Sequence, residues 1–143
     1  MEKLSVYFAG SIRGGREFEQ VYRSMIARIE ERAVVPTRHV GDLSLRPLEQ
    51  KENNCREIYR EDIRMLEVCD LVIAECTQPS LGVGYELAYA EKLGKPCYVF
   101  YQSSKCNLSA MIAGDPYFHI TAYETADELL PALDAILDGA RKE

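Results

Sequence analysis

Two carboxylates stand where a helix face calls for apolar side chains. Glu86 shares a helical face with Val83, Leu87 and Ala90, and Asp62 lies four residues from both Ile58 and Leu66. Spacings of three and four put each acid on the inward side of its helix. Glu86 also follows a glycine-rich turn, Gln78-Pro79-Ser80-Leu81-Gly82-Val83-Gly84-Tyr85, which comes directly after the apolar run Leu71-Val72-Ile73-Ala74 and the short polar step to Thr77. A strand, a tight turn and a helix start present such a residue at the mouth of a parallel sheet, where α/β proteins bind ligands. There the positive end of the helix dipole favours the ionised form. Two acids facing one pocket can divide labour, one attacking as the carboxylate and the other donating a proton. Desolvation and mutual repulsion would raise the pKa of one of them. For Asp62 the competing reading is a buried brace for a neighbouring loop.

A second constellation is Gly10-Ser11-Ile12-Arg13-Gly14-Gly15-Arg16. Glycines let backbone amides approach an anion, and a following helix start adds favourable partial charge. Ser11 offers a hydroxyl and Arg13 a bidentate fork, both suited to phosphate. The run lacks GxGxxG and a Walker lysine, so neither a dinucleotide nor ATP fits it. The competing reading is a plain glycine turn with solvated arginines. Three further positions are ambiguous on their own. Asn107 to Ile112 reads as a helix turn against the sheet edge or another subunit. Tyr7, two residues before Ala9-Gly10, is either core or aimed at Glu86. His39 reads as a partly buried histidine and is kept as a candidate substrate contact.

The elements that must position these residues alternate in type. Apolar runs at residues 4–9, 33–35, 71–74, 96–101 and 118–122 read as strands. Helical periods cover residues 17–32, 52–68, 83–93 and 125–137, with a loop over 41–51. This alternation predicts a three-layer, Rossmann-like (flavodoxin-like) α/β fold with a mostly parallel five-stranded sheet. With 143 residues, 47% apolar and 28% charged, a single domain over residues 1–143 is expected.

Charge and cysteine content narrow the partners. The net charge is −6, and from Asp115 onward seven acids face only Arg141 and Lys142. No basic stripe exists, so a nucleic-acid polymer is not an expected partner. No run approaches a membrane span and no apolar export segment opens the chain, so a cytoplasmic location is expected, with the nucleus as the alternative. The five cysteines show no CxxC spacing, and neither His39 nor His119 has ligand spacing to them. Free thiols are the expected state, with no metal.

Taken in order, Tyr7-Phe8-Ala9-Gly10-Ser11-Ile12-Arg13-Gly14-Gly15-Arg16, Glu61-Asp62, Thr77 through Glu86, and Leu108-Ser109-Ala110-Met111-Ile112 resemble the 2′-deoxynucleoside 5′-monophosphate N-hydrolases (Rcl proteins) of the nucleoside 2-deoxyribosyltransferase superfamily. The similarity runs over nearly the whole chain, and the block ending at Glu86 is its most specific part. The resemblance implies hydrolysis of the N-glycosidic bond of a deoxynucleoside monophosphate to free base and 2-deoxyribose 5-phosphate, without a cofactor. It makes Glu86 the nucleophile at C1′, Asp62 the acid that protonates the departing base, and Tyr7 the residue that orients Glu86. Gly10, Ser11, Ile12, Arg13, Gly15, Ser80 and Gly82 would surround the 5′-phosphate and sugar. Ser109 would reach that phosphate from a partner subunit and Met111 would sit near the base or sugar, which implies a homodimer with shared sites. The pattern departs at residues 41–54 and 103–106, which border the base, and so leaves the preferred base open.

The chemistry is consistent with that implication. Cleavage at C1′ passes through an oxocarbenium-like state that a nearby carboxylate and a protonated leaving group stabilise. Three rival readings have their own signatures. A ribonucleotide hydrolase of the CMP-cleaving kind keeps the machinery and changes the sugar. A nucleotide-sensing module keeps the fold and makes both acids structural. A flavodoxin-like or response-regulator domain is disfavoured, because the turn after the first strand is basic.

Overall fold

The apolar run near the amino terminus forms β1, Leu4–Gly10, and its last five residues are all buried. A strand sealed on both faces needs a layer on each side. The same holds for β3, Leu71–Glu75, buried along its whole length. Around them stand β2 (Ala33–Val34), β4 (Cys97–Gln102) and β5 (His119–Tyr123) in the order β2-β1-β3-β4-β5, every pair parallel. The computed structural model describes residues 3–12, 18–41 and 54–141. Five parallel strands between helices are the three-layer architecture expected from the alternation of periods.

Alternate residues of one strand feed opposite layers. Val6 and Phe8 of β1 join Ile73 and Phe100 beneath α1 (Glu19–Glu30) and α5 (Ala126–Ala140). Tyr7 and Ala9 join Val72, Ala74 and Val99 beneath α2 (Cys55–Val68) and α3 (Leu81–Leu93). In α5, Leu129, Leu133 and Leu137 are buried at four-residue steps. A fork from Arg28 Nε and Nη2 to the two oxygens of Asp134, at 2.9 and 2.8 Å, joins α1 to α5. Those bonds, with Arg32 beside them, hold the Asp134 carboxyl below the usual carboxylate range. Among the described residues no helix is long and apolar enough to cross a membrane.

Several boundaries differ from the periodic expectation for local reasons. α3 begins at Leu81 rather than at residue 83, because Ser80 is its N-cap and accepts the Val83 N–H at 3.1 Å. Glu86 therefore stands in the second turn, farther from the dipole's positive end than expected. Periodicity alone ends the third strand at Ala74; pairing with Gly10 and Phe100 carries it on to Glu75. β2 spans only two residues and pairs with Leu4 and Ser5. Beyond it Thr37 takes over, accepting the Phe8 N–H and donating to the Phe8 carbonyl, both at 2.8 Å. That side chain satisfies an edge the short strand cannot reach.

Candidate active site

In the order 2-1-3-4-5 the chain passes from β1 to β2 on one side and then crosses to β3 on the other side of β1. Ligand crevices form outside the carboxyl ends of the strands at such a switch point. A cavity of about 570 Å³ opens there. The end of β1, the turn after β2, the inner face of α2 and the β3–α3 loop each contribute to its wall.

Of the residues singled out from sequence, this cavity brings together Tyr7, Gly10, Ser11, Ile12, His39, Asp62, Ser80, Gly82 and Glu86. The buried Tyr7 hydroxyl donates to Glu86 Oε2, joining β1 to α3. Asp62 reaches the same space from α2, half-buried as Glu86 is. The two acids therefore share one cavity, with a phenol directed at one of them. His39 is buried in a short 3-10 turn, Arg38–Gly41. Ser80 accepts from Val83, which leaves its hydroxyl proton able to donate into the cavity.

Arg13 and Gly15 are outside the described residues. Ser109, which precedes α4 (Ala110–Ala113), and Met111, 82% exposed, do not line the cavity.

The Gly10-Ser11 turn is shaped from behind by Tyr22 of α1. A side chain added at Gly10 would put its Cβ 2.9 Å from Tyr22 Cζ. The Tyr22 hydroxyl accepts the Ser11 N–H at 3.0 Å. Gly10→Ala should therefore destabilise the protein by about 1–3 kcal/mol through overpacking. Urea denaturation measures this; an unchanged midpoint would show that the turn has room to spare.

Much of the wall was not legible as a site. Ile58, Tyr59, Ile63, Pro79, Leu81 and Tyr85 make it apolar, and Thr37 and Cys55 also reach it. The Tyr59 and Tyr85 hydroxyls lie 3.4 Å apart, closing α2 against α3. The four-residue steps from Ile58 through Asp62 to Leu66 signalled an apolar face on α2, but not that a cavity lies beneath it. The Cys76 thiol is pushed up to about 12 by burial and by the charges of Glu75, Cys106 and Glu86. It stays protonated and is no rival nucleophile. Among the described residues no cluster of His, Cys, Asp or Glu is placed to hold a metal ion.

An oriented carboxylate, a second acid and apolar walls suit cleavage of a bond that leaves a stabilised cation on carbon. Fold and cavity together define a doubly wound α/β protein with a carboxylate-bearing pocket at its switch point. The model of the nucleoside 2-deoxyribosyltransferase family matches residues 6–128, and the chain belongs to that family. It is 49% identical over 113 residues to the 5-hydroxymethyl-dUMP N-hydrolase of Rattus norvegicus, covering 77% of this chain and 69% of that protein. With the Homo sapiens protein of the same name the identity is 39% over 140 residues, covering 94% and 77%. The CMP N-glycosidase BcmB of Clostridium botulinum shares the fold with a TM-score of 0.63 at 21% identity, covering 91% of this chain and 98% of that one.

Proposed function

We propose that this protein hydrolyses the N-glycosidic bond of 2′-deoxynucleoside 5′-monophosphates, releasing free base and 2-deoxyribose 5-phosphate through a covalent glycosyl-enzyme intermediate. The observation that carries the reading is the Tyr7–Glu86 hydrogen bond in the cavity that Asp62 also lines. Relatives named as deoxynucleotide N-hydrolases support it.

Glu86 attacks C1′ as the carboxylate, the bond from C1′ to the base nitrogen breaks, and Asp62 donates its proton to the departing base. Water then attacks C1′ while the Asp62 carboxylate accepts its proton, and the ester oxygen returns to Glu86. Covalent capture divides one high barrier into two lower ones. Tyr7 holds the attacking oxygen in place, which costs nothing further at the moment of reaction. Ser11, Arg13 and Ser80, with backbone at Gly10 and Gly15, would anchor the phosphate, and that remote binding can lower the barrier at C1′. Ile12, Gly82 and His39 would complete the pocket.

The active unit in this reading is a homodimer in which Ser109 and Met111 of one protomer complete the cavity of the other. Tyr59, Leu81 and Tyr85 are exposed apolar side chains at the cavity's α2–α3 wall, with Leu81 at 96% exposure, and support an interface there.

The test is to incubate the protein with each deoxynucleoside monophosphate and with CMP, and to follow free base by chromatography. Base from a deoxynucleotide is expected; base from CMP alone would transfer the chemistry to ribonucleotides, and none from any substrate would refute the reading. In the same assay Arg13→Ala should raise KM for the monophosphate by about tenfold or more, as loss of a charge-assisted phosphate contact does. KM for the corresponding nucleoside should stay the same, and an equal rise on both would remove Arg13 from the phosphate site.

A further inference from the structure

A buried acid on the other face of the sheet has no place in this mechanism. Glu75 ends β3 with no solvent exposure, in register with Gly10 of β1 and Phe100 of β4. Its Oε1 accepts the Thr77 N–H at 3.0 Å. Its Oε2 accepts the hydroxyls of Thr77 at 2.5 Å and Tyr123 at 2.7 Å. Thr77 Oγ1 in turn accepts the Gln102 N–H at 2.9 Å. Three donors converging on one carboxyl match an ionised group, which only accepts. Burial pushes Glu75 above the ordinary glutamate range, and the Thr77 and Tyr123 bonds offset only part of that rise. An aliphatic side chain would leave those donors buried without this acceptor, at the cost of their desolvation.

Neither Glu75 nor Thr77, Tyr123 or Tyr22 lines the cavity. Yet Glu75 borders both segments at the proposed anion end, since it pairs in register with Gly10 and holds Thr77. Thr77 opens the loop leading to Ser80. On the other side, Tyr22 packs under Gly10 and accepts the Ser11 amide. Its phenol is held protonated first by burial and then by the charge of Glu75.

We propose that Glu75 is a positioning residue for the phosphate end of the cavity, tying the Gly10-Ser11 turn and the Thr77-to-Ser80 loop into one rigid frame from behind the sheet. The inference rests on the proposed function for the identity of the anion. Its logic is that of a supporting shell, since donors must keep a fixed separation to meet one phosphate together. Glu75→Gln keeps the size of the side chain but replaces one acceptor oxygen with a donating amide that faces other donors.

Calorimetric titration with inorganic phosphate tests the idea without requiring turnover. Glu75→Gln should weaken phosphate binding about tenfold, the effect of disordering one charge-assisted contact. Affinity for a deoxynucleoside, which lacks the phosphate, should be unchanged. A purely structural Glu75 would lower the melting temperature and leave phosphate affinity per folded molecule intact, and that result overturns the inference. So does equal weakening of phosphate and deoxynucleoside, or a wild-type protein that does not bind phosphate. If Glu75→Gln fails to fold, Tyr123→Phe removes a single donor and should weaken phosphate selectively by about threefold; no selective loss there also overturns it. Phosphate bound by the wild type with no base released would instead sink the proposed function and leave the role of Glu75 standing.

Discussion

Replacing Glu86 with alanine should abolish base release, by roughly 10⁴-fold or more, as loss of a covalent nucleophile does. A deoxynucleoside monophosphate should still bind, because in the proposed reading Ser11, Arg13 and Ser80, and not Glu86, hold its phosphate. Three placements make the effect large. The carboxylate stands on the inner face of α3, it is reached by the Tyr7 hydroxyl, and the Cys76 thiol nearby is too weak an acid to take over the attack. Alanine also takes away the acceptor to which buried Tyr7 donates, costing about 1–3 kcal/mol. A thermal melt must therefore accompany the kinetics, and binding of the monophosphate shows that the fold is intact. Rapid quenching of the wild type with substrate should trap a deoxyribosyl ester on Glu86, identifiable by peptide mass. Undiminished turnover in the variant would remove Glu86 from the nucleophile's place, whatever the trap shows.

Asp62→Asn should lower kcat by about 10²–10⁴-fold, the range of general acid help to a departing group. The decisive comparison is between leaving groups. An ordinary purine departs as an anion unless it is protonated, whereas an N7-alkylated purine already carries a positive charge and departs neutral. On the alkylated substrate the loss should shrink to less than about tenfold, because no proton is then needed for the first step. A residual effect remains from the second step, in which the same group activates water. Asp62 sits on α2 beside Ile58 and Ile63, and the change to asparagine keeps its size, so packing in α2 is not the variable. Equal losses on the two substrates would make Asp62 a brace for its helix rather than an acid.

Both experiments draw on residues that helical spacing had already singled out. Acids in phase with Val83 and Leu87, and with Ile58 and Leu66, stand out because a three-or-four residue step is a local property of the chain. The glycine-rich turns after Ala9 and Thr77 are local in the same way, since they depend on short-range backbone sterics. Glu75 did not stand out. It merely continues an apolar run by one residue, and a lone acid there looks like the first residue of a loop. Its hydrogen-bond partner Tyr123 comes from β5, and no spacing rule joins the two.

What the chain determined alone, then, was the alternation of strand and helix, the parallel sheet that alternation demands, and the two acids facing inward. Those follow from side-chain periodicity and turn chemistry, which act over a few residues. Tertiary structure decided that Tyr7 of β1 meets Glu86 of α3, that Asp62 shares their cavity, and that a buried carboxylate stands beside Gly10. Parallel strands pair only through long crossovers. Which side chains meet at the switch point is therefore set by the strand order β2-β1-β3-β4-β5 and its register, and neither can be read from neighbours along the chain.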